Sequence, residues 1–286
     1  MNVLCVGGCG YIGALLVPQL LAEGHKVTVY DLQLFGDGHL PKDNQNLTII
    51  KGDVREIDDL YDAAVDQEVI IWLASVSNNA MYGVNYELTH SVNTCLTYFP
   101  VKRFIYASSV AVADPTSDYA KDKLYCEKLL KDYPAVIVRS ASVCGYSPHQ
   151  RFDLTVNRMV NDATRKGVIT VNGGDQMRTH VHIKDVCDFY RLLLTSDLSG
   201  TFNLVTENQS VLDTALRVNR IIPVEIDIKV RTDDRSYMVE PSKEFTPKKT
   251  IQQAIQDLKI KFDSGYWPDS LTNPIYQNIC ALKPQP

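Results

Sequence analysis

A tyrosine and a lysine four residues apart, Tyr119 and Lys123, stand in the stretch SDYAKDKLYCEK. Residues at this spacing lie on one face of a helix, so both side chains can reach the same point of a cleft. A nearby ammonium group favours the phenolate and lowers the pKa of a phenol from about 10. The pair therefore predicts a tyrosine base that works near neutral pH. The same spacing is also typical of an ordinary solvated helix.

Two serines, Ser108 and Ser109, end the apolar run RFIYASS that precedes this helix. Ligands of open α/β sheets bind at the carboxyl ends of the strands. A hydroxyl there could bind the reacting oxygen and orient it toward Tyr119. The sequence thus predicts Ser109, Tyr119 and Lys123 as a catalytic set, with a serine that only caps a turn as the alternative.

A glycine-rich turn, VLCVGGCGYIGALL, places Gly7, Gly10 and Gly13 between a predicted strand and a predicted helix. Glycines permit close approach of the backbone to a pyrophosphate, and the helix N-terminus supplies free N–H groups. Asp31 ends the next strand, where a carboxylate can bind ribose hydroxyls and would repel a 2′-phosphate. No Arg or Lys follows Asp31 within ten residues, so the sequence predicts NAD rather than NADP.

The elements that must position these residues alternate along the first half of the chain. β-Branched runs predict strands over 3–6, 26–30, 47–50, 68–73, 103–107 and 135–138, and amphipathic stretches predict helices over 11–23, 57–65, 84–98 and 118–131. This alternation predicts an α/β fold with a Rossmann-type doubly wound parallel sheet covered on both faces. We expect an NAD-binding domain over residues 1–150 and a smaller α/β substrate-binding part over 151–286, with segments that return to the main sheet.

Composition restricts the classes of function. The 286 residues contain no apolar run of the length needed to cross a bilayer, and the net charge of −5 argues against a nucleic-acid surface. The seven cysteines are scattered without CxxC spacing, and His180 and His182 have no third ligand nearby, so no metal site or disulfide framework is predicted. The chain begins on a strand pattern rather than a signal peptide, which predicts a cytoplasmic protein.

Taken in order, these motifs resemble the extended short-chain dehydrogenases/reductases of the NAD-dependent epimerase/dehydratase family, which act on nucleotide-activated sugars. The resemblance runs from residue 1 to about 258 and includes GDV at 52–54, VRSASVCGYSP and GGDQMRTHVHIKDV. It implies that Tyr119 is the acid/base, that Lys123 is its electrostatic partner and a ribose ligand, and that Ser109 aligns the reacting oxygen. The predicted cofactor-binding residues are Gly7, Gly10, Tyr11, Ile12, Gly13, Asp31, Leu32, Asp53, Val54, Leu73, Ala74, Ser75, Asn93, Tyr119 and Lys123.

The resemblance also implies a nucleotide-diphosphate sugar as the substrate. Arg178 and Arg235 resemble the family's phosphate-contacting arginines, and an arginine fork suits phosphate oxygens. The predicted substrate-binding residues are Asn78, Ser109, Asn157, Arg178 and Arg235. The predicted helices over 84–98 and 118–131 resemble those that form the family's dimer interface, so a homodimer is expected.

The reaction type is narrowed by one departure from the family pattern. Dehydratases of the family usually carry Thr-Asp-Glu where this chain has Ser109-Val110-Ala111. The carboxylates that would eliminate water are therefore missing, and we predict a nucleotide-sugar epimerase, at C4, that works by transient oxidation of a sugar hydroxyl. The alternatives are a C4 dehydrogenase, a 4-keto reductase, or an NAD-binding sensor or scaffold without turnover.

Overall fold

The computed structural model describes residues 1–76, 90–94, 97–98, 101–230 and 235–277 of the chain. The strands in this part of the chain are β1 (Asn2–Val6), β2 (Lys26–Asp31), β3 (Leu47–Lys51), β4 (Val69–Trp72), β5 (Arg103–Ser109), β6 (Ala135–Ser140), β7 (Ser142–Cys144), β8 (Val168–Asn172), β9 (Met177–His182), β10 (Gly200–Leu204), β11 (Glu207–Ser210) and β12 (Glu225–Lys229). The α-helices are α1 (Gly13–Ala22), α2 (Ile57–Ala64), α3 (Asp118–Leu130), α4 (Thr155–Lys166), α5 (Ile183–Thr195), α6 (Val211–Ile221) and α7 (Ile251–Asp263).

Seven parallel strands form the main sheet in the order β3-β2-β1-β4-β5-β6-β10. The chain runs outward from β1 to β3 and then crosses back to β4 on the other side of β1. This reversal leaves a crevice at the carboxyl ends of β1 and β4, where open α/β sheets bind their ligands. The predicted Rossmann-type sheet is confirmed, and its first six strands lie within two residues of their predicted bounds.

Apolar side chains on both faces explain why these strands form a buried parallel sheet. All four residues of β4 are buried, as are the last four of β1. One face carries a core that includes residues of α1 and α5, and the opposite face carries a second core with residues of α2 and α3. Such two-sided burial requires the near-continuous hydrophobic runs found in the sequence.

The smaller part of the molecule has its own core. Helices α4, α6 and α7 pack around β8, with Phe152, Phe262 and Trp267 in mutual ring contact. A three-stranded sheet, β11-β9-β7, and a parallel pair, β12-β8, belong to this region. Strand β10 pairs with β6 in the main sheet, so the chain does return there. The domain division near residue 150 stays a prediction.

The helix predicted over 84–98 falls largely outside the described residues. Within that range the structure describes 90–94 and 97–98, and these residues are helical. The helix predicted over 118–131 is α3. It begins at a defined point because the Ser117 hydroxyl accepts a hydrogen bond from the backbone N–H of Ala120. This N-cap fixes the start of the helix one residue before Tyr119.

Candidate active site

The glycine-rich turn after β1 brings bare backbone to the crevice. Gly7 has φ of +80°, and a Cβ atom there would lie 2.5 Å from the backbone nitrogen of Ala74. A Cβ atom on Gly13 would lie 2.2 Å from the carbonyl oxygen of Gly8. Side chains are therefore excluded at both positions, and the N-terminus of α1 opens directly onto the cavity. A surface of this kind fits the pyrophosphate of a dinucleotide.

Asp31, at the end of β2, is held by the glycine turn itself. Its Oδ2 atom accepts a hydrogen bond from the backbone N–H of Cys9 at 2.9 Å, and its Oδ1 atom accepts one from Gln33 at 2.7 Å. Burial raises the pKa of the Asp31 carboxyl group, and these two hydrogen bonds oppose the rise. The carboxylate is thus fixed in orientation beside the turn, as ribose binding requires.

Asp53 and Val54 follow β3 at the same end of the cavity. The Asp53 carboxylate receives hydrogen bonds from Arg55 Nε at 2.9 and 3.0 Å, and this interaction lowers its pKa. The Asp53 carbonyl oxygen accepts a hydrogen bond from the Tyr30 hydroxyl at 2.9 Å. Arg55 was not among the sequence predictions, although it lies beside the site on the loop that follows Asp53.

The predicted catalytic residues come together at the carboxyl end of β5. Ser109 ends that strand, and its hydroxyl forms a side-chain hydrogen bond with Tyr119 that lowers the pKa of the phenol. The Lys123 ammonium lies 5.8 Å from the centre of the Tyr119 ring and donates a 2.7 Å hydrogen bond to the carbonyl oxygen of Ala107. Helix α3 and strand β5 therefore present all three side chains to one point.

The pKa values at this point differ from the sequence expectation. Burial raises the pKa of Tyr119 above 10, and the hydrogen bond from Ser109 only partly opposes this effect. Burial also lowers the pKa of Lys123 to about 8. The expectation that lysine proximity alone would bring the phenol near neutrality is not met, because desolvation of the phenolate is the largest contribution.

One cavity of about 920 Å³ contains both the glycine turn and this catalytic cluster. All the predicted cofactor-binding residues line it except Asn93, which is half-buried in a helical segment elsewhere. Among the predicted substrate-binding residues, Ser109 and Arg235 line the cavity. Asn78 lies outside the described residues. The cavity is large enough for ligands well beyond a single sugar, since typical ligand pockets measure roughly 300 to 1,000 Å³.

Asn157 and Arg178 are not among the residues that line the cavity. Asn157 is fully buried, and its amide group binds the backbone N–H of Gly145, the Tyr11 hydroxyl and the carbonyl oxygen of Arg151 at 3.0 to 3.1 Å. Arg178 donates a hydrogen bond from Nη1 to the carbonyl oxygen of Arg235. The two predicted arginines are therefore neighbours, but only Arg235 faces the cavity.

The structure adds residues to the site that sequence reasoning missed. Arg151, Tyr237 and the segment 140–143 line the cavity. Arg151 lies close enough to Tyr119 to lower the pKa of the phenol, and its Nε atom binds Asp153 at 3.0 Å. The only local signal for Arg151 was its place in SPHQRFDL, just after the family-like motif VRSASVCGYSP. The only local signal for Tyr237 was its place two residues after the predicted Arg235.

The described residues contain neither a membrane-spanning helix nor a metal-binding cluster. No helix in this part of the chain has the length and apolar character to span a bilayer. No cluster of three or more metal-ligating side chains occurs there either. His180 and His182 are both buried on β9, and burial lowers the pKa of each to about 4.

A sequence model of the NAD-dependent epimerase/dehydratase family matches residues 3–204. The chain is 31% identical over 163 residues to the decarboxylating sterol-4-alpha-carboxylate 3-dehydrogenase of Bos taurus, an alignment of 54% of this chain and 44% of that protein. The aligned part of this chain thus spans less than half the length of this relative.

Solved structures share the fold at low sequence identity. The dTDP-glucose 4,6-dehydratase of Bacillus anthracis superposes with a TM-score of 0.82 at 20% identity, covering 93% of this chain and 97% of that one. The UDP-N-acetylglucosamine 4-epimerase of Methanobrevibacter ruminantium superposes with a TM-score of 0.80 at 21% identity, covering 92% and 98%. Because one is a dehydratase and the other an epimerase, the fold alone does not separate the two reactions.

Proposed function

The chain belongs to the NAD-dependent epimerase/dehydratase family, and from this premise we propose that it is a nucleotide-sugar 4-epimerase that works by transient oxidation. The observation that carries the proposal is that Ser109, Tyr119 and Lys123 line the same cavity as the glycine turn and Asp31. A secondary alcohol bound between these groups would contact a proton acceptor and the cofactor together.

The residues at the glycine-turn end fit NAD, the family's cofactor. The turn at Gly7 and Gly13 has no room for side chains and would hold the pyrophosphate, while the fixed carboxylate of Asp31 would bind the adenosine ribose. Lys123 would bind the second ribose. When bound, NAD supplies the acceptor for a carbon-bound hydride.

Tyr119 takes the hydroxyl proton of the sugar in the proposed reaction, and Ser109 aligns the oxygen through the hydrogen bond that it shares with the phenol. With a pKa of about 8, Lys123 is mostly protonated at neutral pH, so its charge favours the phenolate. Arg151 adds a second positive charge near Tyr119. The resulting keto sugar would turn in the cavity, and Tyr119 would return the proton to its oxygen when the opposite face is reduced.

The acidic groups of the cavity support epimerisation over dehydration. Among the described residues that line it, the carboxylates are Asp31 and Asp53, both at the glycine-turn end. Val110 and Ala111 follow Ser109 in a short 3₁₀ turn, where the family's dehydratases carry carboxylates. Elimination of water needs an acid and a base near the sugar, and these residues supply neither.

The opposite end of the cavity suits a nucleotide diphosphate. Arg235 and Arg151 both line it, and guanidinium groups bind phosphate oxygens in a fixed fork. Tyr237 supplies an aromatic face in the same region. We propose that these side chains bind the diphosphate and orient the sugar toward Tyr119.

The test is mass spectrometry of the products formed from UDP-, GDP-, dTDP- and CDP-hexoses by the purified protein with NAD. An unchanged mass together with a new, separable stereoisomer is the expected result. Loss of two hydrogens would identify a C4 dehydrogenase, and loss of water a dehydratase. Either outcome would refute epimerisation.

The Tyr119→Phe variant shows whether the product depends on the proposed base. Turnover should fall by about 10²- to 10⁴-fold because a positioned proton acceptor contributes that much. Tyr125→Phe is the matched control, since Tyr125 lies on the same helix with its side chain exposed. Equal turnover in the Tyr119→Phe and Tyr125→Phe proteins would exclude Tyr119 as the base.

A further inference from the structure

A charged cluster lies one turn beyond Lys123 on the catalytic helix, with a buried Glu127 and an Arg139 side chain that is 30% exposed. Glu127 accepts hydrogen bonds from the Ser108 hydroxyl at 2.5 Å and from Arg139 at 2.9 Å through Nε and 2.5 Å through Nη2. Glu127 and Ser108 are 7% and 6% exposed. Both carboxylate oxygens are therefore used, and none of the three side chains was assigned a role in the reaction above.

The cluster joins the two elements that carry the catalytic residues, α3 and β5, to the neighbouring strand β6. Glu127 lies on α3, Ser108 on β5 and Arg139 on β6, and Ser108 pairs with Arg139 in the sheet register. Ser108 immediately precedes Ser109. The contact thus fixes how α3 sits along the end of β5, and so how Lys123 and Tyr119 face Ser109.

Simple stabilisation does not account for such a cluster. Burying an ion pair costs desolvation free energy that its mutual attraction repays only in part, and apolar replacements are often neutral or stabilising. A buried pair is better explained where it fixes a position or sets a charge. This one lies within one helical turn of a buried ammonium group, that of Lys123.

We propose that Glu127 is a positioning residue for Lys123: with Ser108 and Arg139 it holds α3 against β5, and its carboxylate keeps the buried Lys123 ammonium charged. The inference rests on the role of Lys123 in the proposed function. It adds a reason why a lysine with only 4% exposure remains a cation at neutral pH.

The charges around Lys123 give the direction of the effect. Burial lowers the pKa of Lys123 to about 8, and Cys126, Glu127 and Asp122 raise it. From the sheet side the Lys123 ammonium faces the Tyr106 ring at 4.7 Å, and Arg139 faces Glu127. Removing the Glu127 charge lowers the pKa of Lys123, and the unpaired Arg139 lowers it further. Protonated lysine is then lost at a lower pH.

NADH binding, measured by fluorescence at a series of pH values, tests the proposed role of Glu127 and does not require turnover. The affinity of the wild-type protein should fall as pH rises through the pKa of Lys123, and Lys123→Met should lack that step. Glu127→Gln keeps the shape and the hydrogen bond from Ser108 but removes the charge. Its midpoint should move down by about 0.5 to 1 pH unit, whereas Asp132→Asn, which removes an exposed carboxylate just beyond the same helix, should not move it.

Arg139→Gln should shift the pH midpoint of NADH binding in the opposite direction, to higher pH. The substitution leaves the Glu127 carboxylate without its neutralising arginine, so the negative charge beside Lys123 is stronger. This variant decides the question if Glu127→Gln fails to fold. A folded Glu127→Gln protein with the wild-type midpoint, or an Arg139→Gln midpoint that moves down, overturns the proposal. A wild-type protein without epimerase activity would refute the proposed function and leave the binding titration unaffected.

Discussion

The two ends of the cavity are built in different ways. At the glycine-turn end the ligand surface includes bare backbone at positions where no Cβ fits, and the Asp31 carboxylate is held there by two backbone N–H groups. At the other end the surface consists of side chains that come from two segments far apart in the chain, Arg151 from one and Arg235 and Tyr237 from the other. The first end depends on local sequence, and the second depends on long-range packing.

Buried amide side chains hold the second end in place. The carbonyl oxygen of Arg151 accepts hydrogen bonds from Asn157 at 3.0 Å and from Gln150 at 3.4 Å. Tyr11, from the glycine turn, donates to the carbonyl oxygen of Gly145 at 2.6 Å and accepts from Asn157 at 3.1 Å. One buried network therefore connects the cofactor end to the segment that carries Arg151. Because the two ends are built differently, we expect substitutions at each end to have different effects on stability, NADH affinity and KM for the nucleotide sugar.

The largest effect is expected at the backbone-built end, from Gly13→Ala. The new methyl group would lie 2.2 Å from the carbonyl oxygen of Gly8, so α1 must move away from the turn. We expect a loss of about 1 to 3 kcal/mol in the free energy of unfolding and at least tenfold weaker NADH binding. Thermal unfolding and fluorescence titration measure the two.

Gly38→Ala is the matched control, because no atom lies within 4 Å of a Cβ atom built there. It should leave both stability and NADH affinity unchanged. If Gly13→Ala matched this control in NADH affinity, the turn would not be the pyrophosphate site, and the contrast between the two ends would fail.

An intermediate effect is expected from Asn157→Ala, which removes the network at the side-chain-built end. It leaves the backbone N–H of Gly145 buried without its acceptor, at a cost of about 1 to 3 kcal/mol. The melting temperature should fall in the absence of substrate, and KM for the nucleotide sugar should rise more than the Kd for NADH. Both follow from a positioning role, since Arg151 loses a support.

The outcome for Asn157 also decides between this role and the direct substrate contact that the sequence predicted. A direct ligand would raise KM while the melting temperature of the free protein stayed the same. Arg158→Gln serves as the control, because Arg158 is the next residue of the same helix and is exposed. Its melting temperature and KM should be those of the wild type.

The contrast between the ends explains what the sequence could predict. Gly7, Gly13 and Asp31 have fixed spacings because one strand, one turn and one helix place them, and Tyr119 and Lys123 share a helix face. Arg151 and Tyr237 reach the cavity through tertiary packing, which leaves no period in the sequence. Asn157 has the residue type of a ligand, but only its burial shows that its hydrogen bonds go to protein atoms. Strands β7 and β11 are three and four residues long, with the sequences SVC and ENQS, and show no clear alternating pattern of apolar residues.

The smallest effect is expected from Asp31→Asn, which tests the carboxylate that the glycine turn holds at the cofactor end. An asparagine is uncharged and has a single acceptor oxygen, so the backbone N–H of Cys9 or of Gln33 loses its acceptor, and NADH binding should weaken by roughly 10-fold. Discrimination against NADPH should fall as well, because the charge that repels a 2′-phosphate is gone.

The pH dependence of NADH binding also tests the role of Asp31. Burial raises the pKa of Asp31, so as the pH is lowered the NADH affinity of the wild-type protein should decline at a higher pH than for an ordinary carboxyl group. The Asp31→Asn variant should lack this decline. Asp43→Asn is the control, since Asp43 is exposed and is not among the residues that line the cavity, and it should leave NADH affinity and NADPH discrimination unchanged. If NADPH discrimination were unchanged in Asp31→Asn, cofactor choice would depend on other residues at this end, and the local sequence would specify less of the site than the glycine turn indicates.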